Sequence, residues 1–311
     1  MPAWRPQGYV PNPKENDRIV ASLKHPTMAS AGPKLKTDDK KDVVLWPSIV
    51  KVRPNYARVA QAIGSCVGHA YAGGIDALSC TEIVIHGEAE DWPGRCLEAS
   101  IYGFSRVEAR GLKKNSGGDG SFGGAATKAL LNYGCLHYDV DYNGTVFSEY
   151  SGIREKTWGA SGVPDELEPF AKKRRIKDAT LLESYEDLEK AISSGYPCVL
   201  CSGQGFTLSR TEGGWAKPRG QWLHAMTVIG KRVGSRPGAL IWNSWGNKAH
   251  SGPHYSGVPG REMPKEFLGS TFWADAEVVD RMIRGWRDSF AISGYDGFPP
   301  RKLPSWTKGV T

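Results

Sequence analysis

The 311-residue sequence predicts an α+β fold with two subdomains, because helical patterns dominate its first half and strand-like runs its second. Hydrophobic residues make up 40% of the chain, which is enough to build a core and excludes a wholly disordered protein. The 38 glycines and 11 tryptophans favour loops and strands over long helical bundles. No apolar run approaches the ~18 residues that a membrane-spanning helix needs.

The order of elements follows from local patterns. Small and apolar residues at 67–78 predict a helix that is buried on most sides. Further helices are expected over residues 94–111, 124–133, 185–193 and 275–285, and strands over residues 197–201, 225–230 and 239–243. We therefore expect an extended basic arm over residues 1–42, one domain over residues 43–250, and a C-terminal extension over residues 251–311. The extension is expected to pack on the domain or on a partner.

The positive charge lies mainly at the two ends of the chain. Residues 1–42 and 298–311 each carry a net charge of +3, which leaves +1 of the total of +7 for the residues between them. A nearly neutral body argues against nucleic-acid binding, whereas basic ends suit contact with a protein partner or an assembly. No apolar signal-peptide core is present. We expect a protein without a membrane anchor, in the cytoplasm or within a virion-like assembly.

The six cysteines are Cys66, Cys80, Cys96, Cys135, Cys198 and Cys201. In a long chain without a secretion signal, reduced thiols are expected rather than three disulfides. Cys198 and Cys201 have the spacing of a zinc-binding pair, but no second pair follows, so core packing is the preferred interpretation. We expect neither a metal nor another cofactor.

Three separate positions together indicate nucleophilic chemistry. Cys66 follows a small Gly-Ser turn at the start of a helix, where the partial positive charge favours a thiolate. His224 opens a strand, and Asn243 begins the sequence Asn-Ser-Trp-Gly. A thiolate needs a histidine that protonates the leaving amine, and an asparagine amide can hold that ring without adding charge. Each residue alone is more often structural, but chance explains this order poorly.

These motifs resemble those of the papain-like (C1) cysteine peptidases. Residues 47–54 are similar to the N-terminal segment of the mature enzymes, and residues 64–67 are similar to the motif that contains the nucleophile. Residues 120–134 are similar to the substrate-binding loop and the helix after it. Residues 223–226 and 243–246 are similar to the motifs that contain the catalytic histidine and asparagine. The resemblance covers about residues 45–250 and implies a helical left subdomain, a β-barrel-like right subdomain and a cleft between them. It is closest to prodomain-free members from bacteria and their viruses, because residues 1–42 lack a helical period.

The resemblance implies a site that hydrolyses polypeptides through an acyl-thioenzyme. It makes Cys66 the nucleophile, His224 the base and acid, and Asn243 the residue that orients the histidine. The oxyanion hole would use Gln61 and the backbone N–H of Cys66, and Trp245 would cover the His–Asn bond. Substrate would pair with Gly120 and Ser121, and Leu223 and Ala225 would line a pocket for an apolar side chain.

The alternative is a papain-fold structural or assembly component, for example of a viral particle, with little or no peptidase activity. The basic ends and the C-terminal extension suit that role. Geometry discriminates the two hypotheses. An open cleft with an intact triad favours the enzyme, whereas a cleft filled by the chain's own arm, or Gln61 turned away, favours the structural component.

Overall fold

The structure is a computed structural model, and it describes residues 7–31, 35, 40–56, 58–86, 91–112, 118–294 and 297–299. The basic residues predicted at the C-terminal end, Arg301, Lys302 and Lys308, lie outside the described residues. Within the described ranges, no helix is both long and apolar enough to cross a membrane.

Helices lie mainly in the first half of the chain. They are α1 (Pro13–Ser22), α2 (Met28–Ala31), α3 (Trp46–Val52), α4 (Cys66–His86), α5 (Glu98–Arg106), α6 (Gly123–Asn132), α7 (Gly152–Ser161), α8 (Glu168–Ala171), α9 (Tyr185–Ser193), α10 (Lys265–Leu268) and α11 (Ala276–Trp286). The strands are β1 (Val43–Val44), β2 (Asp141–Tyr142), β3 (Thr145–Val146), β4 (Asp178–Leu181), β5 (Cys198–Phe206), β6 (Pro218–Arg232), β7 (Gly238–Trp242), β8 (Thr271–Asp275) and β9 (Phe290–Ser293). The predicted α+β layout is therefore confirmed.

One antiparallel sheet forms most of the second half. Its strand order is β4-β9-β5-β6-β7-β8, and β1 pairs with β6 at the side of this path. The small hairpin β2–β3 stands apart. Strand β8 pairs with β7, and β9 pairs with both β4 and β5. Residues 271–293, which the sequence assigned to a C-terminal extension, are thus two strands and a helix of the main sheet region rather than an addition to it.

Helix α4 lies between the helical half and the sheet. It packs against α3, α5 and β6, and its residues from Cys66 to Leu78 are fully buried. Gly68 allows the close approach of α5, because a Cβ there would lie 2.9 Å from the carbonyl oxygen of Glu98. The buried hydroxyl of Thr227 on β6 donates to the carbonyl of Ala70 at 2.7 Å, which fixes the sheet to the first turns of α4.

The N-terminal arm differs from the expected extended segment, because α1 is a helix. Asn12 caps it by accepting the N–H of Glu15 at 3.3 Å, and Pro13 occupies the first helical turn. The helix packs on α6, where the buried Asn16 donates to the carbonyl of Arg287 at 2.7 Å. The described part of the arm therefore lies on the chain's own body.

Candidate active site

His224 and Asn243 are hydrogen-bonded to each other at the sheet, and Cys66 lies beside the strand that carries His224. Cys66 is the first residue of α4, His224 lies on β6, and Asn243 directly follows β7. All three side chains are fully buried. Because β6 and β7 are paired neighbours, Asn243 reaches His224, and Nε2 of the ring lies 2.8 Å from the amide oxygen Oδ1.

The Cys66 thiol lies beside the backbone of the histidine strand. Its sulfur accepts the N–H of Ala225, the residue next to His224. The second ring nitrogen, Nδ1 of His224, is buried and has no hydrogen-bond partner among the described residues. One nitrogen of the ring is thus held by Asn243, and the other remains for proton exchange.

Aromatic rings cover the histidine. Trp245 stacks on His224 with the ring centroids 4.5 Å apart and the planes 28° apart. Trp222 meets Trp245 edge-on at 4.6 Å. The indole of Trp245 is 8% exposed, so it shields the His–Asn hydrogen bond from water as the resemblance implied.

Gln61 lies at the edge of the same site. Its backbone N–H donates to the carbonyl of Ser244 at 2.9 Å, and its side-chain oxygen accepts the Ser244 hydroxyl. Its amide Nε2 donates to the carbonyl of Ile63 at 3.0 Å. The side chain of Gln61 is thus hydrogen-bonded through both its oxygen and its nitrogen, beside the residue that follows Asn243.

The cleft contains the chain's own residues 7–10, which we call the cleft segment. The N–H groups of Gly8 and Tyr9 donate to the carbonyl of Leu223 at 3.3 and 3.1 Å, and Gln7 Oε1 accepts the Leu223 N–H at 2.9 Å. On the opposite side, the backbone N–H of Ser121 donates to the carbonyl of Gly8 at 2.9 Å, and the backbone carbonyl of Ser121 accepts the N–H of Val10 at 2.8 Å.

The predicted substrate-binding residues therefore contact this segment. Ser121 forms a parallel bridge with Tyr9, and a Cβ on Gly120 would lie 2.5 Å from the side chain of Val10. Leu223 supplies the hydrogen bonds on the other wall. Ala225 is fully buried, and its backbone N–H lies close enough to the sulfur of Cys66 to lower the pKa of that thiol.

Gly8 brings the segment directly onto the nucleophile. Its N–H is directed at the sulfur of Cys66, and a Cβ at position 8 would lie only 1.8 Å from the carbonyl oxygen of Gly64. Only glycine allows this contact between two backbones. The sulfur thus faces an N–H donor, and the carbonyl oxygen of Gly8 is bonded to Ser121 instead.

Tyr9 fills the pocket beside the segment. It is 2% exposed, and its ring meets Trp286 edge-on at 5.6 Å. Its hydroxyl faces the carboxylate of Asp288, which also accepts the N–H groups of Gly123 and Gly124 at 2.8 Å each. Burial raises the pKa of Asp288 to about 7. The surroundings of Tyr9 therefore contain a buried acid that the sequence analysis did not identify.

Burial sets the charge states of Cys66 and His224. It raises the pKa of the Cys66 thiol to about 12, despite the N–H donors of Ala225 and Gly8 and the position at a helix start. It also lowers the pKa of His224 to about 3, and the nearby guanidinium of Arg58 lowers it further. Both groups are therefore neutral at pH 7 while the cleft segment is in place.

Two buried residues behind the site were missed by sequence reasoning. Nε2 of His250 lies 3.2 Å from the amide Nδ2 of Asn243, which it can accept. Glu155 accepts the hydroxyls of Ser65 and Tyr150 at 2.8 Å each. The carboxylate of Glu155 also lies 2.8 Å from Nε2 of the buried His69. No sequence motif marks His250 or Glu155, because their partners are distant in the chain or on other elements.

Comparison with solved structures identifies the architecture. Xylellain, a cysteine protease from Xylella fastidiosa, superposes with a TM-score of 0.52 at 16% identity, covering 93% of this chain and 92% of that chain. Procathepsin B S9 from Trypanosoma congolense superposes with a TM-score of 0.54 at 14% identity, covering 94% and 87%. The chain has the papain-like fold. No family model matches the sequence, and no curated protein matches it.

Proposed function

We propose that this chain is a papain-like cysteine peptidase that its own cleft segment holds in a latent state. The observation that carries the proposal is the convergence of Cys66, His224 and Asn243, with the ring nitrogen 2.8 Å from the asparagine oxygen. These residue types in this arrangement suit a thiolate nucleophile, a proton carrier and the group that orients it.

The reaction follows from these positions once the segment leaves. The proton of the Cys66 thiol passes to Nδ1 of His224, and the thiolate attacks the carbonyl carbon of a peptide bond. The backbone N–H of Cys66 and the amide of Gln61 stabilise the oxyanion. The imidazolium then protonates the departing amine, and an acyl-thioenzyme remains. His224 takes a proton from water, hydroxide attacks the thioester, and the carboxylic acid leaves as the thiol re-forms.

Latency rests on what the segment presents to the sulfur. The carbonyl oxygen of Gly8 accepts the backbone N–H of Ser121 on the cleft wall and not the N–H of Cys66, which would stabilise an oxyanion. The segment therefore occupies the cleft without placing this carbonyl in the proposed oxyanion hole. Anchoring by α1 on α6 keeps it there, because Asn16 joins the arm to the loop after α11.

The test compares the full chain with a chain that lacks residues 1–10. The deletion stops before α1, because removal of that helix would uncover the surface of α6. An epoxide inhibitor directed at thiols should label Cys66 in the shortened chain, as read by peptide mass spectrometry, and fluorogenic peptides should be hydrolysed. Cys66→Ser in the same background should abolish both. Failure of the folded, shortened chain to be labelled at Cys66 would contradict the proposal.

The occupied cleft favours a second candidate, the papain-fold structural or assembly component. A fully buried thiol with a pKa raised to about 12 by burial suits a protein that no longer performs catalysis. The shortened chain separates the two candidates. Labelling of Cys66 without hydrolysis of any peptide in a broad library would favour the structural role, whereas turnover would favour the latent peptidase.

A further inference from the structure

A cluster of two thiols and one imidazole lies in the helical half, away from the catalytic triad. The sulfur atoms of Cys96 and Cys135 and a ring nitrogen of His137 all lie within 4.8 Å of one another. The three residues are 0%, 1% and 3% exposed. This is a group of metal-binding atoms inside the protein, and neither the proposed mechanism nor the zinc-like spacing of Cys198 and Cys201 involves it.

The backbone explains why these three side chains converge. The segments at residues 95–97 and 136–138 run antiparallel, with hydrogen bonds of 2.8 Å from Leu97 to Leu136 and from Tyr138 to Arg95. Cys96 lies directly opposite His137 in this pairing, so their side chains share one face. Cys135 lies two residues before His137 and projects to that same face. The local register therefore assembles all three groups.

We propose that Cys96, Cys135 and His137 bind one zinc ion. Two thiolates and an imidazole are ligands that Zn²⁺ prefers, and the thiolates balance its charge. Tetrahedral Zn–S bonds of about 2.3 Å and Zn–N bonds of about 2.0 Å separate neighbouring ligand atoms by about 3.5–3.8 Å. Starting from separations of at most 4.8 Å, each ligand atom needs to move by about 1 Å or less.

The surroundings supply a fourth position and support for the ligands. A cavity of about 70 Å³ reaches Cys135 and His137 and is also lined by Ser79, Glu82 and Asp91. Its volume accommodates a water molecule, which occupies about 30 Å³, as the fourth ligand. The buried backbone is held on both sides: Cys96 N–H donates to Asp76 at 2.8 Å, and His137 N–H donates to the Tyr142 hydroxyl at 2.7 Å.

Such an ion would stabilise the helical half around the nucleophile helix. Cys96 precedes α5 and Cys135 follows α6, so the metal would join the start of one helix to the end of another, and the bond from the Cys96 N–H to Asp76 ties this site to the middle of α4. Removal of the metal is therefore expected to lower the thermal melting temperature without changing the contacts of Cys66 with the cleft segment.

The test measures metal content in the full chain carrying Cys66→Ser, which excludes the nucleophile as a ligand. Protein produced with zinc and purified under reducing conditions should contain one equivalent by elemental mass spectrometry. Adding Cys135→Ser should remove it, whereas adding Cys198→Ala and Cys201→Ala should not. Cobalt substituted in the parent chain should give the absorption of a tetrahedral thiolate site, which needs no further variant if Cys135→Ser fails to fold.

Three results would overturn the zinc proposal. The first is a parent chain that contains no metal although its thiols are shown to be reduced. The second is a folded Cys135→Ser variant that retains all of its zinc. The third is a disulfide between Cys96 and Cys135, found in freshly purified protein by non-reducing mass spectrometry. The last result would assign the two thiols to a covalent cross-link. Labelling of Cys66 in the shortened chain is independent of all three, so the peptidase proposal is tested separately.

Discussion

Replacing Gly8 with alanine is expected to open the cleft and raise the reactivity of Cys66. The new methyl carbon would lie 1.8 Å from the carbonyl oxygen of Gly64 and 2.2 Å from its carbonyl carbon. Both obstructing atoms are backbone, so no side-chain rotation can relieve the overlap. The cleft segment must therefore shift away from Gly64, and its hydrogen bonds to Leu223 and Ser121 weaken with that movement.

The size of the effect follows from the cost of overpacking. Inserting one carbon into a well-packed contact costs about 1–3 kcal/mol, and each 1.4 kcal/mol changes an equilibrium tenfold. The fraction of molecules with an open cleft should therefore rise by about 5- to 140-fold. Alkylation of Cys66 requires the open form, so its rate should rise by the same factor while that form is rare.

The assay follows iodoacetamide modification of Cys66 between pH 5 and pH 10. In the natural chain the pKa of Cys66 is raised to about 12 and that of His224 lowered to about 3 by burial. The closed form should therefore contribute to alkylation only at the alkaline end, and modification near pH 6 should come from the open form, in which the thiolate–imidazolium pair can form. The same open form reacts in Gly8→Ala, so its rate near pH 6 should exceed that of the natural chain by the same factor of about 5 to 140.

Gly285→Ala is the matched control, because a Cβ at that position meets no atom within 4 Å. It should leave the alkylation rate and its pH profile unchanged. The reasoning would be refuted if folded Gly8→Ala reacted at the same rate as the natural chain. In that case the segment would not limit access to the thiol.

Three further predictions use the shortened chain that lacks residues 1–10. Cys66→Ser should abolish hydrolysis and change the melting temperature little, since a serine oxygen can accept the same backbone N–H groups; a large drop in melting temperature would mean that Cys66 is a packing residue. His250→Ala should lower kcat/KM because the Asn243 amide loses its acceptor, and His250→Gln should lower kcat/KM less. Equal kcat/KM values for the two variants would contradict a positioning role for His250. Glu155→Ala should lower the free energy of unfolding by about 1–3 kcal/mol for each hydroxyl that loses its acceptor, measured by urea denaturation, and an unchanged midpoint would contradict that.

Local sequence patterns predicted the elements that carry the triad. The helix at residues 185–193 has its predicted bounds, with Ser184 accepting the N–H of Asp187 as the cap. The strand that holds His224 is longer than predicted. It begins at Pro218, and its first four residues are exposed. Alternation of apolar residues marks buried strand segments but not their solvated extensions.

The arm was predicted less well, although one signal for its helix is present. Asn12 followed by Pro13 and Glu15 is a helix-start pattern, and α1 begins there. The position of the cleft segment has no such signal. Gly8 and Tyr9 bond to Ser121 and Leu223, which lie more than 100 and 200 residues away, and only the folded chain brings these walls together.

The spacing of the cysteines in the sequence does not predict which of them lie together in the fold. Cys198 and Cys201 have the spacing of a zinc-binding pair, but core packing was the preferred interpretation, and both lie buried within a single strand, where positions three apart face opposite ways. The cluster around Cys96 combines residues about 40 positions apart, and its register is set by backbone pairing that no short motif encodes.

The cleft segment also explains how a site arranged for an ion pair can be neutral. A thiol at a helix start next to a histidine would ordinarily be expected to ionise, because the helix end and the imidazolium both favour a thiolate. Here desolvation by burial outweighs those effects, and both groups stay uncharged. If the chain is the latent peptidase that we propose, occupation of the cleft blocks substrate and contributes to the burial that keeps Cys66 protonated. Release of residues 7–10 would reverse both effects in one step, so the alkylation profile and peptide hydrolysis should change together.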